Sequence, residues 1–451
     1  YWRQPGVTVS GPVRIPKLYD GRDKTFFMYS YEAIDSKIPF ARLYTMPTEL
    51  ERVGDFSKTV TADGRPVTIY DPLTTRLVNG RYIRDPFPGN VIPANRIDPV
   101  ALAILKYVPK PRSAGQTNNF AVPEKNRADV YDNHVVKVDQ TINNNHRFFV
   151  RYAWNNRDEI NDLGGFTEPS AATGDAYLHG RKNVGLSTEV TSILSNSLVV
   201  NSRVGWIQHY FYLTQRGDGF DTASLGFPSS LVSQMPRKWF PQIAMSGYTT
   251  FGTTGSQYTT SDTYSWSEIF SKTIGNHSLR FGGEYRAMLN AYDSPTSSMG
   301  NFSFTTAYTQ YDAQRADATA GNSVASFLLG YPASGSLPIN PTFKYRSNYM
   351  GVFLQDDWRV TPKLTLNAGL RWDYESPITE KGRQQNAGFD TTSTSPFKAP
   401  GMDLKGGLLF VSDSNPYPFK KDLNNIQPRI GAAYQIDQKT VLRGGYGLSY
   451  L

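Results

Sequence analysis

The chain of 451 residues contains no cysteine. That excludes a disulfide framework, thiol catalysis and cysteine-based zinc sites. No apolar run approaches the roughly 18 residues that a spanning helix needs; the longest are short, such as VALAIL at 100–105. A helical membrane protein is excluded, but a β-barrel, with its much weaker signal per strand, is not. Basic residues exceed acidic ones, 47 to 39, for a formal charge of +8, yet they never run longer than two, as at Arg181–Lys182 and Lys420–Lys421. Without a basic tract this charge reads as a solvated surface and not as a nucleic-acid interface. The five histidines, His134, His146, His179, His209 and His277, fall at no metal-ligand spacing.

Aromatic residues, in contrast, are plentiful: 28 Tyr, 25 Phe and 7 Trp, in a chain whose mean hydropathy is −0.45. That pairing suits strands whose two faces differ strongly. LTLNAGLRWDYE at 364–375 is the clearest case. Successive side chains of a strand point to opposite faces. Leu364, Leu366, Ala368, Leu370, Trp372 and Tyr374 therefore share one face, and Thr365, Asn367, Gly369, Arg371 and Asp373 the other. The pattern recurs in RFFVRYAW (147–154), LRFGGEYRA (279–287) and TVLRGGYGLSY (440–450). Trp154, Trp206, Trp358 and Trp372 fall near strand ends, as in an interfacial girdle.

Strands come in pairs joined by a few residues of turn chemistry, such as NNNH after 134–142, GNHS after 261–274 and TPK after 346–360. The pairs are separated by long polar connections at about 155–181, 214–258, 292–344 and 376–427. Four such links at regular intervals are foreign to a compact soluble sandwich. Short turns on one side and long loops on the other are the mark of a transmembrane barrel. The expected fold class is all-β: an antiparallel transmembrane β-barrel, here about eleven strands counted from KTFFMYSYEA (24–33), with short periplasmic turns and long extracellular loops. Two short helices interrupt the links. One has Asp98 as N-cap and Pro99 at its first position, with Ala101, Ile104, Leu105 and Val108 on one face; the other has Asn322 as cap, Gly330 as stop and Pro332 beyond.

Catalytic chemistry finds no footing. Asp356 and Asp357 are adjacent, so on a strand they point apart. DSNPYPFKKDLNN (413–425) lacks the order of acids, central Gly and closing Glu of a calcium loop. The expectation is no enzyme, no cofactor and no metal. Inward-facing charges are the candidates for contact with a solute, or with the plug that the resemblance described below implies: Arg280, Glu284, Arg286, Arg371 and Asp373. QHYFYL (208–213) and NPTFKY (340–345) read as aromatic loops able to stack on sugars or peptides.

Six stretches in order, GPVRIPKLYDGRDKTFFMYSYEA (11–33), IYDPLTT (69–75), RDPFPGNVIPANRIDPVALAIL (84–105), VASFLLGYPASG (324–335), FLQDDWRVTPKLTLNAGLRWDYE (353–375) and NNIQPRIGAAYQIDQKTVLRGGYGLSY (424–450), resemble TonB-dependent outer-membrane receptors of the Oar-like branch. That branch often carries an N-terminal carboxypeptidase-regulatory-like domain. The resemblance implies a barrel of about 22 strands, filled by a plug that an inner-membrane TonB complex pulls. It implies residence in the outer-membrane lipid of a Gram-negative-type bacterium, and import of a ligand of carbohydrate, peptide or siderophore-like kind. No plug or TonB box precedes the first strand. Residues 1–23 are therefore expected to be the plug-to-barrel connection, and 24–451 the first half of a barrel. A passive pore or adhesin, or a soluble β-rich carbohydrate-binding protein or hydrolase, are the alternatives. The soluble reading requires the greasy faces to meet one another.

Overall fold

The computed structural model describes residues 1–161, 166, 170–174, 177–235, 237–253, 255–294, 299–338 and 342–450, with backbone alone at 40 and 123–126. Its main feature is one antiparallel sheet of 14 strands. Twelve form the wall: β1 (Gly6–Pro12), β2 (Thr25–Tyr44), β3 (Phe120–Asn143), β4 (His146–Asn161), β5 (Tyr177–Ser195), β6 (Leu198–Gln215), β7 (Gln257–Ile274), β8 (His277–Asp293), β9 (Phe343–Thr361), β10 (Leu364–Glu375), β11 (Ile426–Gln435) and β12 (Val441–Gly447). Each pairs with its predecessor and its successor in sequence, so the wall is an up-and-down meander with β1 and β12 at its edges.

β1 departs from expectation. Within residues 1–23, read as a connection, Trp2–Arg3 and Gly6–Pro12 pair with β2, which brings the expected count of about eleven strands to twelve. The short alternation Val7-Thr8-Val9-Ser10 is sufficient: Val7 lies opposite Tyr31 and Val9 opposite Tyr29, while the hydroxyls of Thr8 and Ser30 meet at 3.0 Å.

The register carries the two-faced pattern from strand to strand. Leu370 lies beside Leu354, Leu354 beside Phe281, and Phe281 beside Phe270. Leu186 joins Tyr152 on one side and Trp206 on the other. Nothing among the described residues covers this face: Val204, Leu354 and Leu370 are each more than half exposed, and Ile430 is 63% exposed. The soluble alternative is thereby overturned, because no dry core forms between greasy faces. The apolar band starts at the short turns and ends in aromatic rings, including Tyr31, Trp154, Trp206, Tyr264, Met350's neighbour Tyr374, and Trp372. A band of about nine tilted residues is about 25 Å tall, the thickness of a barrel's lipid belt. Of the four expected girdle tryptophans, Trp154, Trp206 and Trp372 stand in the far ring. Trp358 stands at the turn end, stacked on His277 at 5.2 Å. Two outward carboxylates interrupt the belt: Glu268 accepts a hydrogen bond from the Ser202 hydroxyl at 2.7 Å, and Asp356, nearer the turns, lies 2.6 Å from His277.

Above the belt the strands continue. β3 has 24 residues and β5 has 19, whereas crossing the bilayer takes about 9–11. This corrects the expected loops. Residues 155–161 and 177–181 are strand, and so are 208–213 and Phe343–Tyr345; Asn340 and Pro341 lie outside the described residues. Beyond the membrane both faces are wet, so outward positions become Asn156, Asp158 and Asp262, and alternation disappears while backbone pairing persists.

The connections themselves fold. Links 45–119, 216–256 and 294–342, as far as described, pack into an apolar cluster that includes Phe56, Phe240, Phe251, Phe327 and Leu328, all at most 2% exposed. Helix α1 (Pro99–Leu105) and helix α2 (Ser323–Leu328) form where expected. The Asp98 carboxylate accepts from the Val100 and Ala101 amides at 2.7 and 3.2 Å, and Asn322 Oδ1 from Val324 and Ala325 at 2.7 and 3.3 Å. The Arg52 guanidinium donates to the Leu105 and Val108 carbonyls at 2.6 and 2.9 Å, so α1 is closed at both ends. The helices meet where the Asp98 amide donates to the Leu328 carbonyl at 2.7 Å. Gly330 ends α2 with φ +73°, and a Cβ there would come within 2.7 Å of the Asp98 carboxylate, so the residue has to be glycine on both counts.

Replacing Leu370 with Arg puts a charge in the belt and destabilises the membrane-inserted fold by about 2–4 kcal/mol. Thr365→Arg, on the wet face of the same strand, costs little. Urea unfolding from lipid vesicles, read by heat-modifiable gel mobility, is expected to separate the two variants in that order. The reverse order would invert the faces.

Candidate functional site

The inward face is built from the residues that alternate with the belt, and it is dense in paired charge. The Arg157 guanidinium donates to Asp129 at 2.6 and 2.9 Å, and the Lys137 ammonium to Asp139 at 2.6 and 2.8 Å. Arg203 is joined to Glu189. Toward β12 the wall forms a recess of about 630 Å³, whose lining includes Arg203, Arg280, Glu284, Arg286, Arg371 and Arg429.

Four of the five candidate charges thus line one recess, and the fifth, Asp373, is bound to one of them. Arg286 Nε donates to Glu284 at 2.5 Å, and its guanidinium lies 4.5 Å from the centre of the Tyr349 ring. Arg371 Nε donates to Asp373 at 2.9 Å and its Nη2 to the Tyr349 hydroxyl at 2.6 Å. That hydroxyl donates in turn to Asp373 at 2.7 Å, and the Gln427 amide donates to the same carboxylate. Tyr349 is therefore the hub that ties Arg286 to Arg371 across β8, β9 and β10. Gly351 makes room for it: a Cβ there would fall 2.5–2.8 Å from Asp373, Arg371 and Tyr349. Arg280 stands apart from this network. Sequence reasoning missed Tyr349, Gln427 and Arg429. Each occupies an inward position of an alternating strand, so its face was readable, but its neighbours depended on register.

The adjacent acids diverge as expected. Asp356 faces outward against His277 at 2.6 Å, and Asp357 faces inward, accepting from the Asn367 amide at 2.5 Å. His146 and His277 begin strands instead of sitting in turns. His134 is stacked on Trp154 at 4.6 Å with the Tyr29 hydroxyl 2.9 Å from its Nδ1. Among the described residues no three His, Asp or Glu side chains gather as a metal site.

The cap beyond the rim is held by polar clamps as well as by its core. Glu51, 1% exposed, takes hydrogen bonds from the Thr48 amide (2.8 Å), the Thr59 hydroxyl (3.0 Å) and the Tyr248 hydroxyl (2.9 Å). The Asn322 amide reaches the same tyrosine at 3.1 Å, so one cluster joins three links. Burial, reinforced by Glu51, pushes the Tyr248 phenol far above its ordinary range. Arg96 grips Asp71 with two contacts of 3.0 Å. Burial works to raise the Asp71 carboxyl, but the Arg96 hydrogen bond and charge outweigh it and hold it below the ordinary 3.8.

A wall that is greasy toward lipid, charged toward a lumen and capped at one rim defines an outer-membrane β-barrel. The chain belongs to the outer membrane beta barrel domain family, whose profile matches residues 2–451. It resides in the outer membrane. Among curated proteins none matches its sequence. Among solved structures it is similar to the outer membrane transporter YddB from Escherichia coli, with 12% identity, TM-score 0.42, 99% of this chain and 46% of that one. It is similar to the ferric-catecholate import receptor Fiu from E. coli, with 9% identity, TM-score 0.44, 100% of this chain and 52% of that one. For the siderophore receptor PiuA from Acinetobacter baumannii the values are 10%, 0.36, 99% and 49%. The chain spans about half the length of these structures.

The Asp71 clamp has a definite pH signature. A depressed carboxyl contributes stability that is complete above its ordinary value and disappears as pH falls through the lowered one. Amide protection of residues 69–97 is expected to stay flat from pH 8 to 5 and to fall below about pH 4. Asp71→Asn is expected to lose part of that protection already at neutral pH. A loss between pH 7 and 5, or an Asn variant protected like the parent, contradicts the clamp.

Proposed function

We propose that the chain is the N-terminal half of the barrel of a TonB-dependent outer-membrane receptor, resembling the Oar-like branch. The receptor binds a ligand with its extracellular cap and imports it through a plugged lumen, with work supplied by the TonB complex. The observation that carries this reading is the combination of a charged lumen wall with a folded cap at one rim only. A pore needs no connections packed around buried Phe56, Phe251 and Phe327; a ligand-binding mouth needs a surface that keeps its shape. The cap faces outside and the short turns face the periplasm. Arg280, Glu284, Arg286, Arg371 and Asp373 line the passage, where they hold the wall hydrated and contact the plug. The protein performs no covalent chemistry and takes no resident cofactor; its cargo is of carbohydrate, peptide or siderophore-like kind.

Accumulation of radiolabelled ferric citrate, maltodextrin and a casein-derived peptide mixture is the test, in cells with and without the gene, before and after a protonophore. At least one probe is expected to show gene-dependent accumulation that the protonophore abolishes. Gene-dependent entry that survives the protonophore makes the protein a passive pore. Surface adhesion with no gene-dependent entry of any probe makes it an adhesin.

A further inference from the structure

Register places four inward residues in one line across the wall. Arg280 on β8 lies beside Gln355 on β9, Gln355 beside Gly369 on β10, and Gly369 beside Arg429 on β11. All four line the recess of about 630 Å³. Neighbouring strands are about 4.8 Å apart, so the two arginines start about 14 Å from each other. Between them lie an exposed carboxamide and a residue with no side chain. A Cβ on Gly369 would already be in van der Waals contact with Arg429 and Gln355, at 3.8 Å from the Cβ of each, so any larger residue fills the floor between the arginines.

The line carries two arginines and no carboxylate, whereas three arginines near it are paired. Arg203 has Glu189, Arg286 has Glu284, and Arg371 has Asp373. Asp357, one inward step toward the turn, accepts from Asn367 at 2.5 Å. Arg280 and Arg429 have no ion-pair or hydrogen-bond partner among the described residues, and neither has Gln355. Two guanidinium forks and a carboxamide thus line one stretch of the recess with no carboxylate in the row. Such forks match the oxygens of carboxylate and phosphate groups.

We propose that Arg280, Gln355 and Arg429, set in one row around Gly369, form an anion seat on the lumen wall that takes a carboxylate or phosphate group. The inference rests on the reading that this face lines the transport path, and it names the chemistry received there. The anion has two possible sources: a solute entering the lumen, or an acidic side chain of the protein seated within it.

Phenylglyoxal modification of the intact protein in outer-membrane vesicles, read residue by residue by mass spectrometry, separates these sources. The probes are citrate and inorganic phosphate, and inward-facing Arg443 on β12 is the reference. For a solute seat, Arg280 and Arg429 react readily, millimolar citrate or phosphate slows both at least fivefold, and Arg443 is unaffected. For an internal carboxylate, both react slowly from the start and added anion changes nothing. In either case Arg280→Gln leaves Arg429 the sole fork: it weakens protection of Arg429 by added anion, or speeds the slow modification. The seat is overturned if Arg429 behaves like Arg443 with and without anion, or if Arg280→Gln leaves its modification unchanged. The readout involves no transport, so its failure removes the anion while the protonophore experiment still decides import.

Discussion

Every backbone amide and carbonyl inside a bilayer must find its partner within the protein, because hydrocarbon offers none. The meander meets that demand strand by strand from β2 to β11, with β1 and β12 paired along one side each, and everything else follows from it. Once the backbone is committed to a ladder, side chains can point only to lipid or to lumen. Sequence is then free to vary so long as it keeps two solvents apart. Leu370 beside Leu354 beside Phe281 is one half of that separation; Arg371 beside Phe353, two strands from Gly282, is the other. A slip of one residue would exchange the two sets along a whole strand, so register is held by the cost of placing arginine in lipid.

The inward face turns this constraint into chemistry. Charges that would be forbidden on the belt are concentrated on the wall, where they neutralise one another locally. Tyr349 shows how: its ring lies under Arg286, and its hydroxyl is shared by Arg371 and Asp373. Such a network satisfies its charges locally and ties three strands of the wall together. Two carboxylates are exceptions on the other face: Asp356, held against His277 near the turns, and Glu268 deeper in the belt. The Glu268 carboxylate is satisfied in part by Ser202, and opposite it β8 offers only Gly283.

Much of the fold was legible in the residues, and the boundary of legibility is physical. The face assignment from LTLNAGLRWDYE holds across the wall because lipid and water impose opposite demands at every second residue. Strand ends were not legible: past Trp154 both faces meet water, and Asn155 to Glu159 look like loop while remaining paired. β1 was missed because two valines are too few to announce a strand. The two helices were legible from Asp98 and Asn322, whose caps need only local sequence. The cap's core was not, since Phe56, Phe251 and Phe327 follow no period and are united only in three dimensions. For the site, inward position was readable for Arg280 and Arg371, while the company they keep was not. Arg280, Gln355, Gly369 and Arg429 are united by pairing across about 150 residues of chain, which no local pattern encodes.

The central claim is that the greasy face of each strand meets acyl chains while the charged face meets water. Spin labels on single cysteines along β10 test it most directly, and the chain has no native cysteine to interfere. In reconstituted vesicles, collisions with oxygen should peak at positions 366, 368 and 370, and collisions with a polar nickel chelate at 365, 367 and 369, with a period of two. Oxygen accessibility high at 367 and 369, or no alternation at all, would contradict the account.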